Sequence, residues 1–440
     1  MAILQEHAAE AAAQPAMSPL KRINAILGGS AGNLVEWYDW FAYSSFALYF
    51  ARHFFPKGDA TAQLLQTAVV FAVGFLARPL GAWLMGLYAD RAGRRAALTA
   101  SVALMSAGSF GIALIPDYAA IGMAAPALLI VARLVQGLSL GGEYGASAVY
   151  MTEMAGKGRR GFWSSFQFMT LIAGQLTALA VLIVLQNTLS QGALEDWGWR
   201  VPFAIGGLLA IVVFWIRSGL SETRSFLAAK AQGGAPVRTA MLLRDHPRET
   251  LAIFGLTCAG SLAFYAYTTY MQKFLVNTSG FSKNTATTIT AGALIIYMLI
   301  QPLVGWASDH LGRRNVMAAG FGLGAVATYP AFSLIAATSS PWTAFAVMTL
   351  LIVILSGYTA VNAAVKAELF PTHVRALGVA LPYALANAIF GGTAESVAFG
   401  LKRNGTESWF YAYVAVAMAI AALISARLPN TNATELILEA

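Results

Sequence analysis

Six ionisable side chains stand inside otherwise apolar stretches of this 440-residue chain: Glu36, Asp39, Arg78, Arg133, Glu143 and Glu395. Placing a charge in hydrocarbon costs about 2.5–3.5 kcal/mol on insertion scales, so residues kept there are the first candidates for chemistry. Arginine keeps its proton at physiological pH and presents a planar fork suited to carboxylates. Two such groups at membrane depth must be balanced by carboxylates of the chain or by an anionic ligand, and this favours recognition of an organic anion. None of the five histidines lies deep in an apolar stretch, so if a proton is carried, carboxylates carry it. Asn33, Glu36, Asp39 and Tyr43 follow at steps of three or four and share a helix face, expected to point inward. In ARLVQGLSLGGEYG, Arg133 and Gln136 share a face, and Gly137, Gly141, Gly142 and Gly145 admit a close neighbour, expected to be the first or fifth helix. In FLARPLG, Arg78 lies on the side of Thr67, Phe71 and Gly74, and Pro79 loosens the backbone there.

Two roles are open to each arginine. Arg133 either takes the anion or makes a permanent ion pair with Asp39 or Glu36, and Arg78 either takes the anion or pairs and caps near the proline bend. In the first case a coupling follows. An anion that occupies the arginine removes the counter-charge of the nearby carboxylate and favours its protonation, so that anion and proton move together. Asp39 is the expected proton carrier and Glu36 its structural partner. Glu143 and Glu395 read as gating or packing residues.

The elements that must position these groups are membrane helices. The chain is 58% hydrophobic and 11% charged, with a mean hydropathy of +0.63, whereas a soluble domain carries about 25% charged residues. Apolar runs long enough for a helix to cross about 30 Å of hydrocarbon recur twelve times, at 23–50, 63–88, 96–115, 120–149, 161–187, 199–219, 249–275, 286–308, 315–336, 341–366, 374–401 and 407–428. In lipid only helices and closed barrels satisfy the backbone, and these runs are too long for barrel strands. An all-α membrane protein is expected.

The net charge of +8 is topological rather than a sign of nucleic-acid binding: nineteen Lys and Arg, Lys366 among them, fall on one set of loops and seven, Lys273 among them, on the other. The positive-inside rule then places both termini in the cytoplasm. The N-terminal segment has no basic stretch before an apolar core and does not read as a cleaved signal. The single cysteine, Cys258, excludes an intrachain disulfide and any CxxC metal or redox motif. There is no metal or nucleophile cluster and no polar segment long enough for a catalytic domain, so an enzyme is not expected.

An internal repeat divides the chain into a tail (1–22), a six-helix half (23–219), a central cytoplasmic loop (220–248), a second half (249–428) and a tail (429–440). GLYADRAGRR from Gly86 and GWASDHLGRR from Gly305 share the spacing Gly, Asp, Gly, Arg, Arg, and Glu153 of YMTEMAGKGRRG matches Glu368 of KAELFPTHVRALG. Asp90 is expected to pair with Arg94 or Arg95 and Asp309 with Arg313 or Arg314, joined by Glu153 and Glu368; with Arg375 these form the gating set. Aligning WYDWFAY with FYAYTTY pairs Tyr38 with Tyr265, Tyr43 with Tyr270 and Asp39 with Ala266, and RPLGAW over QPLVGW pairs Arg78 with Gln301. The first half thus keeps the ionisable machinery, and the second offers Tyr265, Tyr267, Tyr270, Gln301, Tyr358, Asn362, Tyr383 and Asn387 as polar or aromatic walls. The candidate substrate-binding set is Arg78, Arg133, Tyr38, Thr67, Gln136, Tyr265, Tyr270, Gln301 and Asn362.

Two six-helix halves with a D-x-x-G-R-R loop between their second and third helices resemble the major facilitator superfamily. GNLVEWYDWFAYSSFALYF, LLQTAVVFAVGFLARPLGAW, ARLVQGLSLGGEYGASAVYMTE and ELFPTHVRALG make the chain similar to one branch of it, the metabolite:proton symporters, from about Ile23 to Leu428. The resemblance implies alternating access and proton-driven import of a C5 dicarboxylate across the bacterial inner membrane. It makes Arg78 and Arg133 substrate anchors, Arg200 a charged mouth residue and the D-x-x-G-R-R loops conformational elements. Branch members also carry citrate, shikimate, aromatic acids or zwitterionic osmolytes such as proline and betaine, an alternative that needs less positive charge in the cavity. No cofactor is expected beyond the coupling proton, proton rather than sodium coupling resting on the resemblance. The partners implied are an organic anion, the proton and the bilayer, with no nucleic acid, and a monomer is the expected state.

Overall fold

The computed structural model describes residues 19–429 except 57, 93, 140–151, 153–157, 219–241 and 243, and side chains over the same residues except 19–33, 86–87, 89–92, 94–98, 213–218 and 372–373. Every regular element among them is helical. The membrane helices are α1 (Pro19–Phe54), α2 (Ala60–Ala92), α3 (Arg94–Leu114), α4 (Ala124–Ser139), α5 (Arg160–Thr188), α6 (Val201–Ser218), α7 (Pro247–Asn277), α8 (Lys283–Leu311), α9 (Arg313–Ala337), α10 (Pro341–Glu368), α11 (Val374–Arg403) and α12 (Ser408–Arg427). Of the residues singled out above, Glu143, Glu153, Gly141, Gly142 and Gly145 lie outside the described residues, and Asn33, Asp90, Arg94 and Arg95 lie outside the described side chains.

Each half packs on itself first: α1 against α5, α2 against α4 and α3 against α6, then α9 against α12 and α10, α8 against α10, and α7 against α11 and α12. The halves meet along α2 against α11 and α5 against α8. The expected partner of α4 is corrected here: Gly137 lies against α2, where an added methyl group would stand 2.1 Å from the Gly74 carbonyl oxygen. Small residues draw these two helices together and so bring Arg78 of α2 and Arg133 of α4 to the same depth.

Helix irregularities gather near the centre. α7 widens into a π-helical turn at Ala266–Tyr270, α11 does the same at Asn387–Gly391, and α10 is interrupted between Thr359 and Asn362. Such turns rotate the following side chains and recur at functional sites.

On the face bearing the repeated loop, Gly312 joins α8 to α9 with φ of 88°, a conformation that explains the glycine of D-x-x-G-R-R. Asp309 accepts hydrogen bonds from the Gly161 and Phe162 backbone N–H groups at 2.8 and 3.0 Å, so it caps the first turn of α5 from the other half. Arg313 holds Asp309 at 2.9 Å and Glu368 at 3.0 Å, and Arg160 stands 3.8 Å from Glu368. The second loop motif therefore pairs within its own half through Asp309, Arg313 and Glu368, as expected, and also clasps the other half. Arg314 donates to the Leu428 carbonyl, and Arg375 Nε donates to those of Ala367 and Phe370. Asp309→Ala removes the cap and one of the two carboxylates that Arg313 holds. Uptake is expected to fall tenfold or more with normal membrane insertion, as measured by transport per folded protein; unchanged uptake would exclude the clasp.

The opposite face is also shut. Lys273 of α7 bonds Glu395 of α11 and Ser44 of α1, both at 2.6 Å, in a fully buried cluster that crosses between halves. Lys273 is thus not a loop charge, and Glu395 is its partner. Nearer the surface, Lys283 pairs with Glu195 at 2.8 Å, and Arg52 pairs with it at 2.9 Å. Partial burial would raise the Glu195 carboxyl, but the Lys283 hydrogen bond and charge, with Gln191 and Arg52, outweigh it and hold Glu195 below its ordinary value of 4.5. A lowered value means that this contact is at full strength above 4.5 and fades as the pH falls through the closed-state value. Glu195→Gln is expected to shift the equilibrium toward opening on this face by at most a few-fold, since such pairs are worth about 0.2–1 kcal/mol. Labelling of a cysteine placed at Thr287, buried against Gln186 of the other half, at neutral pH and at pH 4, measures both effects.

Candidate functional site

The central feature is a pair of buried arginines sharing one indole. Arg78 and Arg133 both lie over Trp40 of α1, each guanidinium carbon 3.9 Å from the ring centroid. Phe75 is 4.1 Å from Arg78, and Tyr43 is 4.4 Å from Arg133. The cage is fixed by α1 and α2: Trp40 packs edge-on against Phe75 at 4.7 Å, and the Tyr43 hydroxyl donates to the Thr67 carbonyl at 3.0 Å. Cation–π contact offsets part of the cost of burying these charges. It leaves the in-plane N–H groups available. Nε and Nη2 of both arginines are buried without a hydrogen-bond partner among the described residues. Buried unsatisfied donors cost about 1–3 kcal/mol each, more when charged. A site that keeps four of them is built for an acceptor that comes and goes.

Arg133 is joined to Asp39 through an amide. Arg133 Nη1 donates to Gln136 Oε1 at 2.8 Å, and Gln136 Nε2 donates to Asp39 Oδ2 at 2.6 Å and to Ser109 Oγ at 3.0 Å. Ser109 Oγ donates to Asp39 Oδ1. Asp39, Ser109, Arg133 and Gln136 are all essentially inaccessible. The permanent Arg133–Asp39 ion pair is therefore not what the structure contains. The two charges communicate through Gln136, which leaves Arg133 free to bind.

Glu36, Asp39 and Tyr43 of the polar stripe of α1 are buried, as an inward-pointing face requires. Asp39 points among α3, α4 and α6, where a methyl group at Gly206 would stand 2.5 Å from its Oδ1, while Ser44 on the other side of the helix meets the second half. Glu36 is buried and lies within electrostatic reach of Arg78, as Asp39 does of Arg133.

Across the interface, Arg78 lies within electrostatic reach of the Tyr265 and Tyr383 hydroxyls, and Phe75 stacks edge-on with Tyr265 at 5.2 Å. Tyr265, Tyr358, Tyr383, Asn387, Ser261 and Phe168 line a cavity of about 10 Å³ between the halves, room for about one water. With both faces shut and so little space between, binding requires the halves to separate.

Other expected binding residues are engaged elsewhere. The Tyr38 hydroxyl donates to the Pro202 carbonyl, the Tyr270 hydroxyl bonds Glu407, and Thr67 Oγ1 donates within its own helix. Gln301 accepts from Thr359, which Tyr297 also contacts, while Asn362 donates to the Thr359 carbonyl. These residues brace α8 against α10. Arg200 is corrected from a mouth residue to an anchor: it donates to the Ala113 and Ile115 carbonyls and pairs with Asp117 at 2.8 Å.

Sequence reading missed Ser109, Trp40 as the shared platform, and Lys366. Ser101, Ser106 and Ser109 form a recurrence of hydroxyls in an apolar helix, and that signal was available. Lys366 is not a loop charge: it is buried, and its Nζ stands 3.2 Å from the Tyr358 hydroxyl and 4.7 Å from the Tyr383 ring centroid.

Twelve membrane helices in two halves that meet at both faces, with two partly unsatisfied arginines buried inside the bundle, define a secondary transporter. The first half, residues 25–233, matches the family described as sugar (and other) transporter, and residues 265–436 match the major facilitator superfamily. The chain is 51% identical to the alpha-ketoglutarate permease of Escherichia coli strain K12 over 92% of its length and 93% of the permease. It is 35% identical to the citrate-proton symporter of Klebsiella pneumoniae over 84% of its length and 83% of the symporter. A solved structure of the xylose transporter XylE from E. coli, in a partially occluded inward-open conformation, superposes with a TM-score of 0.75 at 19% identity, covering 94% of this chain and 99% of that one; this likeness concerns the fold. The chain belongs to the major facilitator superfamily, in its metabolite:proton symporter branch, and is a multi-pass membrane transporter rather than an enzyme.

Proposed function

We propose that this protein imports alpha-ketoglutarate together with protons, by alternating access. The observation that carries the reading is the pair of buried, partly unpaired guanidiniums of Arg78 and Arg133, an anion site at membrane depth. Identity of 51% to an alpha-ketoglutarate permease names the acid. A zwitterionic osmolyte would leave this concentration of positive charge uncompensated. Asp39 takes the proton. When the substrate carboxylate binds Arg133, the attraction that Gln136 relays to Asp39 weakens and protonation follows; release of the anion restores it.

The loop charges support an N-terminus and C-terminus in the cytoplasm of a bacterium, with the clasp of Asp309 on the cytoplasmic face. The halves run from 23 to 219 and from 249 to 428. A dianion entering against an inside-negative potential is opposed by about 2.3 kcal/mol per charge per 100 mV, so two cotransported cations are needed before the potential stops opposing entry.

Proteoliposome uptake of labelled alpha-ketoglutarate under separately imposed pH, sodium and voltage gradients tests this reading, with succinate, citrate and proline as competitors. A pH gradient is expected to drive accumulation and succinate to compete better than proline. No uptake in any gradient, with proline transported instead, overturns it.

A further inference from the structure

We infer that Lys366 is a second anion anchor, set on the opposite half from the arginines, and that it holds the distal carboxylate of the cargo. The inference rests on the dicarboxylate reading above and adds the residue that distinguishes a diacid from a monoacid.

Three observations converge on it. Lys366 is buried at the end of α10, and its Nζ reaches back eight residues to the Tyr358 hydroxyl at 3.2 Å. Its ammonium lies 4.7 Å from the Tyr383 centroid and 5.5 Å from that of Tyr358. Both tyrosines line the central cavity, and Tyr383 is also within reach of Arg78 from the other side. The cavity wall is therefore backed by one cation from each half. The two kinds of cation suit two tasks. A fork stacked on Trp40 fixes the plane and direction of one carboxylate, whereas an ammonium on a flexible stem follows the second carboxylate without demanding its orientation. Only a diacid can engage both, and only when the halves approach, so its binding free energy is realised in the closed state. This is the differential affinity that drives occlusion. A monoacid of the same length engages the arginines alone and closes the protein less well.

The test measures uptake of labelled alpha-ketoglutarate into proteoliposomes, with unlabelled glutarate and 2-oxopentanoate as inhibitors, for the wild type, Lys366→Met and Lys366→Arg. Methionine keeps most of the stem volume and removes the charge. The wild type should prefer the diacids to the monoacid at least tenfold. Lys366→Met should raise the KM for alpha-ketoglutarate roughly 10- to 100-fold, the size of one charge-assisted hydrogen bond, with inhibition by 2-oxopentanoate unchanged. Lys366→Arg should keep the preference. A preference unaltered in Lys366→Met, or diacid and monoacid weakened by the same factor, overturns the assignment. Should Lys366→Met not reach the membrane, the Lys366→Arg profile decides, because a guanidinium there must still favour diacids and a loss of that preference counts against the anchor. A wild type that does not distinguish diacid from monoacid refutes the dicarboxylate reading itself, which separates the two failures.

Discussion

Arg133→Gln is expected to lower alpha-ketoglutarate uptake by at least a hundredfold while leaving the purified protein as heat-stable as the wild type, or more so. The two halves of this expectation have one cause. Nε and Nη2 of Arg133 are buried without hydrogen-bond partners among the described residues, so the fold bears the cost of a desolvated cation that Trp40, Tyr43 and Gln136 compensate only in part. Removing such a charge is expected not to destabilise, in contrast to breaking a buried ion pair, which costs about 3–5 kcal/mol. The same two nitrogens are the proposed donors to the substrate carboxylate. Bonds to charged groups are worth about 1.5–3 kcal/mol each, so losing both costs about 3–6 kcal/mol, or two to four orders of magnitude in affinity. Arg133→Lys is expected to fail nearly as badly, because an ammonium cannot form the fork or stack on Trp40 in the same way. Initial uptake rates and thermal unfolding of the same preparations check the pair of outcomes. A variant that is inactive and strongly destabilised would indicate a structural ion pair instead.

Asp39→Asn is expected to separate exchange from accumulation. Asparagine fits the pocket: its amide oxygen can accept from Gln136 as the carboxylate does, and its amide N–H can donate to Ser109, whose hydroxyl turns to the Met105 carbonyl. The fold and the arginine site should survive, and labelled substrate should still exchange between two filled compartments. What is lost is the response to the proton gradient. One pH unit supplies 1.36 kcal/mol per proton, a tenfold change in attainable accumulation. The wild type should show at least this slope and the variant none. Accumulation by Asp39→Asn that followed the gradient fully would move the proton to Glu36 or elsewhere.

The fold could be read almost entirely from hydropathy, because backbone satisfaction in lipid leaves few alternatives. The residues of the first-half site were also legible: Arg78, Arg133, Gln136 and Asp39 are costly where they stand, and the spacing of Arg133 and Gln136 put both on one helix face, where the structure joins them by a hydrogen bond. Residues near helix ends were not legible. Lys273 and Lys366 lie where hydropathy fades and resemble loop charges, yet a lysine stem can run either way along a helix, and the neighbours that decide its direction come from distant segments. Contacts between elements were hidden for the same reason. One sequence shows that Asp309 sits beside Arg313, but the cap it places on α5 depends on Gly161, 148 positions earlier in the chain, returning to it. Helical periodicity put Asp39 on a buried face without fixing which neighbours receive it, and Gly206 of α6 is what opens the space it occupies.

In the proposed coupling, an anion on Arg133 calls a proton to Asp39. Isothermal titration of alpha-ketoglutarate into the purified protein, repeated in buffers of different ionisation enthalpy, measures anion binding and proton uptake together. The wild type is predicted to take up roughly one proton per acid bound at this site, Asp39→Asn to bind without taking up a proton, and Arg133→Gln not to bind. Binding by the wild type with no proton uptake, or undiminished binding by Arg133→Gln, would contradict it.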